Sequence, residues 1–197
     1  GQVAEWVCAE PLPSMPLFFW GDDDGSRLHD SYFDTYPGIW RHGDWIEFTP
    51  TGGSVIYGRS DATINRRGLR LGSAEIYQAV ERLDEVMDSL VVDLEFLGRN
   101  SFMPLFVVLS PGAVLGQPLK DKIAQSIRTA VSARFIPDDI VEIAEVPRTL
   151  SGKKLEVPVK KLLLSPGKAE TVVNRDSMLN PDSFDAFIAY AKARGNE

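Results

Sequence analysis

Cysteine, histidine, long apolar runs and positive charge are what this chain of 197 residues has least of. Its single cysteine, Cys8, has no partner for an internal disulfide, so a reducing compartment is the simplest reading and a cytoplasmic location the expectation. With Cys8, the two histidines, His29 and His42, are too few for a metal constellation, and no metal ligand is assigned. No apolar run approaches a membrane span, and the first residues lack a basic start followed by a signal-type core. Lysine and arginine number 21 against 28 aspartates and glutamates, a net charge of −7. An acidic surface repels a phosphate backbone, which argues against nucleic acid as a partner. A single nucleotide is not excluded, because its phosphates need only a few local donors.

What is present is ordinary for a soluble fold: 44% hydrophobic and 25% charged residues. Residues 1–40 are rich in aromatics, prolines and glycines without helical periodicity, and predict short strands joined by turns. Within them Phe18, Phe19 and Trp20 form an apolar run that should be covered. DWIEFTPTGGSVIY at 44–57 reads as a hairpin about the turn-forming TPTGG. The character changes after Gly58. SAEIYQAVERL, from Ser73, places Ile76, Ala79, Val80 and Leu83 on one helical face. SLVVDLEFL and FMPLFVVLS read as strands, with Pro104 marking an edge or bulge. Pro118 opens a helix with Leu119, Ile123, Ile127 and Val131 on one stripe. IVEIAEV at 140–146 alternates as a strand. Asn180 and Pro181 read as the N-cap and first residue of a last helix. The order helix, strand, strand, helix, strand, helix predicts an α+β domain.

Three polar, glycine-punctuated segments are uneconomical as packing. In HGDW, Asp44 offers a carboxylate at a tight turn, suited to a ribose diol, although such an aspartate more often stabilises its own turn. In GRSDATINRRGLRLGSAEI, Arg59, Arg66, Arg67 and Arg70 gather phosphate-type donors, or else form a solvated face. In PRTLSGKKLE, Gly152 frees a loop with Lys153 at its tip, and most exposed loop lysines do nothing but face water. The spacing is not that of a P-loop.

In succession, HGDW, YGRSDATINRRGLRLGSAEIY and PRTLSGKKLE resemble the end of the adenylate-forming enzymes, the superfamily of acyl-CoA synthetases, peptide-synthetase adenylation domains and luciferases. The resemblance covers the whole chain. LGSAEIY is similar to the acetyl-CoA synthetase side of the family. SMPLFFWGDDDGSRLHDSYFDTYPGIWRHGDW and the tail KKLEVPVKKLLLSPGKAETVVNRDSMLNPDSFDAF resemble the branch that loads acetoacetate onto coenzyme A.

The resemblance implies a small carboxyl-terminal α+β domain, an antiparallel sheet with packed helices, preceded by short β structure from the end of a large domain. The implied boundaries are 1–58 for that β segment, 59–61 for a hinge and 62–197 for the mobile domain. It also implies roles: Asp44 on the ribose of ATP, Arg59 on the nucleotide nearby, and Arg70 close to the phosphates or the coenzyme. Asp61 would be the hinge, Gly68 would face the pantetheine channel, and Lys153 would act in adenylation. ATP, Mg²⁺ and coenzyme A follow as substrates and cofactor of an intact enzyme. The family's phosphate loop and carboxylate pocket are absent, so this chain alone is expected to be inactive and to hold none of these molecules stably. Its expected partners are small molecules and its own amino-terminal domain, with self-association if Phe18, Phe19 and Trp20 stay uncovered. Two alternatives remain open here: a ligase for acetate, propionate or another short acid, and a non-catalytic partner-binding module.

Overall fold

The computed structural model describes residues 2–60, 64–66, 69–95, 101–165 and 173–194. The chain divides into two compact units, Gly1–Asp61 and Ala62–Glu197.

The first unit holds β1 (Ala4–Cys8), α1 (Ser26–Tyr32), β2 (Trp40–Phe48) and β3 (Ser54–Arg59). Its sheet runs β1-β2-β3, antiparallel at both pairings. The β2–β3 hairpin closes where TPTGG stands: the Thr49 N–H donates to the Gly53 carbonyl at 2.8 Å, and Gly52 takes a φ of +84°. A side chain at that left-handed position would be strained, so glycine is needed. Helix α1 departs from the strands and turns expected for residues 1–40. It buries none of its residues, so there is no apolar stripe to read. Its start is made instead by Asp22, whose buried carboxylate accepts from the N–H groups of Arg27 and Leu28, each at 2.9 Å. Those are among the donors that a helix start leaves without partners.

The second unit begins with the two-stranded ladder β4 (Ile64–Arg66) and β5 (Leu69–Leu71). Then follow α2 (Ser73–Glu81), β6 (Val86–Val91), β7 (Pro104–Leu109), α3 (Gln117–Ala130), β8 (Asp139–Glu142), α4 (Glu156–Leu164) and α5 (Phe184–Arg194). The sheet order is β6-β7-β8. Strands β6 and β7 pair antiparallel, whereas β8 lies parallel to β7, so the sheet is mixed rather than antiparallel throughout. The reason is the crossover through α3, which returns the chain in the direction of β7. Pro104 consequently opens the central strand and is not on an edge; as first residue its missing N–H costs the ladder little.

Alternation along the strands builds a core on each face of the sheet. Val91, Leu105 and Val107 point to one side, where they pack with Ile76 and Val80 of α2 and Ile123 and Ile127 of α3. Leu90 and Phe106 point to the other, against Val159 and Leu162 of α4 and Phe184 and Phe187 of α5. Phe106 is the centre of that second layer, 4.6 Å from the ring of Phe187 and 5.1 Å from that of Tyr190.

Helix α4 is absent from the sequence reading because Pro158 interrupts KKLEVPVKKLLL. It occupies the third helical position, where its missing N–H would have had no partner in the helix. The strand expected over 140–146 ends at Glu142. Asn180 and Pro181 are the N-cap and first residue of a 3-10 turn that runs into the last helix, but the Asn180 side chain makes no capping bond. Its Oδ1 accepts from the Arg148 N–H at 3.0 Å and its Nδ2 donates to the Val146 carbonyl at 2.9 Å, stitching the approach to α5 onto the loop after β8. Residues Pro181–Ser183 form a 3-10 turn before α5.

Candidate active site

The β2–β3 hairpin brings Asp44 and Arg59 together as directly paired residues of neighbouring strands. Just before Asp44, Gly43 has a φ of +86°, and a Cβ there would lie 2.8 Å from Nη2 of Arg59. Glycine therefore makes room for the guanidinium over the backbone of β2, where Nη1 also donates to the His42 carbonyl at 3.4 Å. The Ser60 N–H ties the end of β3 to the Gly43 carbonyl at 2.9 Å. Ser60 Oγ donates to Glu5 at 2.8 Å and accepts from Arg41 at 2.9 Å, which anchors the last described residue of the unit to β1 and β2.

Two residues of this site went unread in the sequence. His42 lies 2.5 Å from Asp44, Nδ1 to Oδ2, and its ring stacks on Trp6 at 3.9 Å. The available signal was spacing, since residues two apart on a strand share a face. Trp6, on β1, could be placed only by the strand pairing.

The cationic stretch after Arg59 separates into different fates. Arg66 is buried, not a phosphate donor: it donates to both Asp138 oxygens at 2.9 and 2.8 Å and to the Ile136 carbonyl at 2.9 Å. Asp138 in turn accepts from the Met103 N–H at 2.7 Å, so the pair fastens β4 to the start of β7. Arg70 belongs to β5, opposite Asn65. Asp61, Arg67 and Gly68 lie outside the described residues.

Lys153 stands in the second unit, exposed, on a turn closed by the bridge between Arg148 and Lys154. The turn is well made. Thr149 N–H donates to the Lys153 carbonyl at 2.9 Å, Gly152 N–H to the Thr149 carbonyl at 2.8 Å, and Lys153 N–H to Thr149 Oγ1 at 3.1 Å. Gly152 takes a φ of +84°, which a side chain would strain. Leu150 N–H reaches the Ser177 carbonyl at 3.2 Å, and Thr149 bridges to Met178. The freedom expected of this loop from Gly152 is thus used to close a braced turn.

Lys154, one residue on, is fully engaged. Its Nζ donates to Glu81 at 2.6 Å and to the Ser89 carbonyl at 2.7 Å, pairs with Asp88 at 2.8 Å, and sits 3.8 Å over the Tyr77 ring. Tyr77 Oη donates to Glu156 at 2.5 Å, and Ser73 Oγ donates to the same oxygen at 2.8 Å. Burial, then the Glu156 charge, pushes the Tyr77 hydroxyl well above its ordinary pKa.

Among the described residues no group of three or more His, Cys, Asp or Glu side chains could hold a metal ion, and no helix is long and apolar enough to cross a membrane. Surface hollows of about 410 Å³ beside α3 and about 530 Å³ at Phe18–Asp23 include neither Asp44 nor Lys153 in their walls.

No protein-family model matches the chain. It is 44% identical over 188 residues to acetoacetyl-CoA synthetase of Danio rerio, a match covering 95% of this chain and 27% of that protein. It is 41% identical over 187 residues to acetoacetyl-coenzyme A synthetase of Rhizobium meliloti (strain 1021), covering 95% and 28%. These curated homologues are acetoacetyl-CoA synthetases. Among solved structures, acetoacetyl-CoA synthetase from Streptomyces lividans superposes with a TM-score of 0.85 at 50% identity, over 98% of this chain and 29% of that one. An ATP-bound RpMatB-BxBclM chimera, at 16% identity and a TM-score of 0.57 over 80% of this chain, shares the fold alone. The chain thus spans between a quarter and a third of the length of the acetoacetyl-CoA synthetases it matches.

Proposed function

We propose that this chain is the carboxyl-terminal part of a cytoplasmic acid–thiol ligase that converts acetoacetate to acetoacetyl-CoA through an acyl adenylate, with release of pyrophosphate and then AMP. The similarity to acetoacetyl-CoA synthetases over 95% of its length carries this reading. The presence of Asp44, Arg59 and Lys153 on formed structural elements supports it.

The Asp44 carboxylate is to accept the ribose hydroxyls of ATP. Oδ2 is engaged by His42, which fixes the rotamer and leaves Oδ1 for the diol. Arg59, held over Gly43, supplies positive charge beside the nucleotide. In adenylation a carboxylate attacks the α-phosphorus, bringing two anions together. The Lys153 ammonium offsets that repulsion in the transition state. Because its turn is braced, Lys153 is delivered and withdrawn with the second unit rather than by a loose loop. Asp61 is the proposed hinge for that motion, within residues 59–61; Gly68 faces the pantetheine channel and Arg70 lies near the phosphates or the coenzyme. Mg²⁺ enters with ATP and neutralises phosphate charge. The chain alone is expected to bind none of these stably, since the matched enzymes are three to four times longer.

The test is acid-dependent exchange of labelled pyrophosphate into ATP by the ligase containing this chain, with acetoacetate, acetate and propionate compared. Exchange driven by acetoacetate well above the other two is the expected result. Exchange driven by acetate or propionate instead would reassign the substrate, and none with any acid would remove the ligase reading.

A further inference from the structure

One carboxylate braces both legs of the turn that presents Lys153. Asp88, in the middle of β6, accepts from Nη2 of Arg148 at 2.5 Å through Oδ2 and pairs with Nζ of Lys154 at 2.8 Å through Oδ1. Arg148 and Lys154 are the two residues bridged at the base of the turn. Arg148 also reaches inside it, donating through Nη1 to the Gly152 carbonyl at 2.7 Å. The side chain of Asp88 is about one-fifth exposed, and those of Arg148 and Lys154 30% and 16%, so the clamp is largely shielded from water and salt. Lys154 carries the brace further, to Glu81 on α2 and the Ser89 carbonyl on β6. The turn is thereby referred to the central sheet and to α2, not merely to its own backbone. A flexible four-carbon side chain at its tip then has a fixed origin.

We infer that Asp88 is a positioning residue for adenylation: by clamping Arg148 and Lys154 it fixes the turn from which Lys153 reaches the reacting phosphate. The inference rests on the adenylation role proposed for Lys153. Asp88 touches no substrate and acts only through that lysine.

Asp88→Asn keeps the shape, halves the acceptor capacity and removes the charge opposite two cations. In the ligase containing this chain it should slow acetoacetate adenylation by about 10- to 100-fold, the scale of an ångström-level misplacement of a reacting group. Thioester formation from supplied acetoacetyl-AMP should stay within about twofold of the parent, which a general loss of folding would not allow. The deciding measurement is the double variant. If Asp88 acts through Lys153, then Asp88→Asn adds no further loss in a Lys153→Ala background. Multiplying losses, equal loss in both half-reactions, or unchanged adenylation in Asp88→Asn would each overturn the inference. Should Asp88→Asn fold poorly, Arg148→Gln cuts one leg of the clamp and should show the same non-additivity. An independent readout is amide hydrogen exchange in the 197-residue chain. The Thr149, Gly152 and Lys153 amides should exchange faster in Asp88→Asn while those of β7 do not change. If Lys153→Ala itself leaves adenylation intact, the role proposed for Lys153 falls, and amide exchange alone decides whether Asp88 braces the turn.

Discussion

Both units present their candidate residues on a pair of antiparallel segments closed by a glycine turn, but they support that device in opposite ways. In the second unit the Lys153 turn stands on a sheet with a packed core on each face. In the first, the described residues with buried side chains are Ile46 and Asp22, and the hairpin is held by aromatic stacking and polar ties. The first unit also displays apolar surface outright, with Leu17 90%, Phe18 69% and Trp20 93% exposed. Burial of apolar area is the main favourable term in folding, so the second unit is expected to stand by itself and the first to depend on cover. In the proposed ligase that cover is the rest of the large domain. For the 197-residue chain by itself, self-association is expected, and Phe18→Ser with Trp20→Ser should restore a monomer in light scattering. A parent chain that is already monomeric would break this half of the comparison.

The largest effect should come from truncating the second unit's core. Phe106 is fully buried and in contact with two aromatic rings of α5. Phe106→Ala should cost about 3–5 kcal/mol in urea unfolding of that unit. A loss below about 1 kcal/mol would mean the layer is looser than its packing implies. Lys153→Ala comes next, on the chemistry rather than the fold. It should slow adenylation by about two to three powers of ten, roughly 2.7–4 kcal/mol, with thioester formation from supplied adenylate near normal. Equal damage to both half-reactions would show the lysine serving folding or general binding. Asp61→Pro should have the reverse profile, because a fixed φ hampers the proposed hinge. Smaller again is Asp22→Ala, which takes the acceptors from the Arg27 and Leu28 N–H groups while Asp24 still accepts from that of Ser26, and should cost about 1 kcal/mol, read as earlier unfolding of the first unit alone.

How far the sequence was legible follows the same division. In the second unit the helical stripes of α2 and α3 could be read directly, because Ile76, Val80, Ile123 and Ile127 pack against one face of a sheet. What could not be read depends on partners far along the chain. The parallel return of β8 is a property of the α3 crossover, and the role of Arg66 depends on Asp138, seventy-two residues away. In the first unit α1 left no periodic trace because it buries nothing. The motifs marked Asp44, Arg59 and Lys153, yet not the residues that hold them. His42 lies two residues from Asp44 and Arg148 stands in the same motif as Lys153, but Trp6 is brought in by strand pairing and Asp88 by its side-chain contacts from β6.

The finest distinction between the units lies in their response to pH, and it follows from two partly buried groups of the second. Burial alone would raise the Asp88 carboxyl, but hydrogen bonds from Lys154 and Arg148, together with the Lys154 charge, outweigh it and hold the group below its ordinary value. A depressed carboxylate stabilises the fold above its unfolded pKa, near 4, and that contribution disappears as pH falls through the lower, folded value. Tyr77 works at the other end. Its hydroxyl is raised, so the unfolded chain ionises near pH 10 while the folded one still does not, and stability is lost as pH climbs past that point. The urea midpoint of the second unit should therefore be level between about pH 5 and 9 as far as these groups are concerned, and fall on both sides. Asp88→Asn should flatten the acid limb and leave the alkaline one. Tyr77→Phe should do the opposite, because it removes the ionisable group while keeping the ring under Lys154. The first unit contains neither group, so its own midpoint should not follow the two substitutions. Identical pH profiles for the parent and both variants would show that the two networks are no more than packing, and that the clamp beneath Lys153 carries no electrostatic weight.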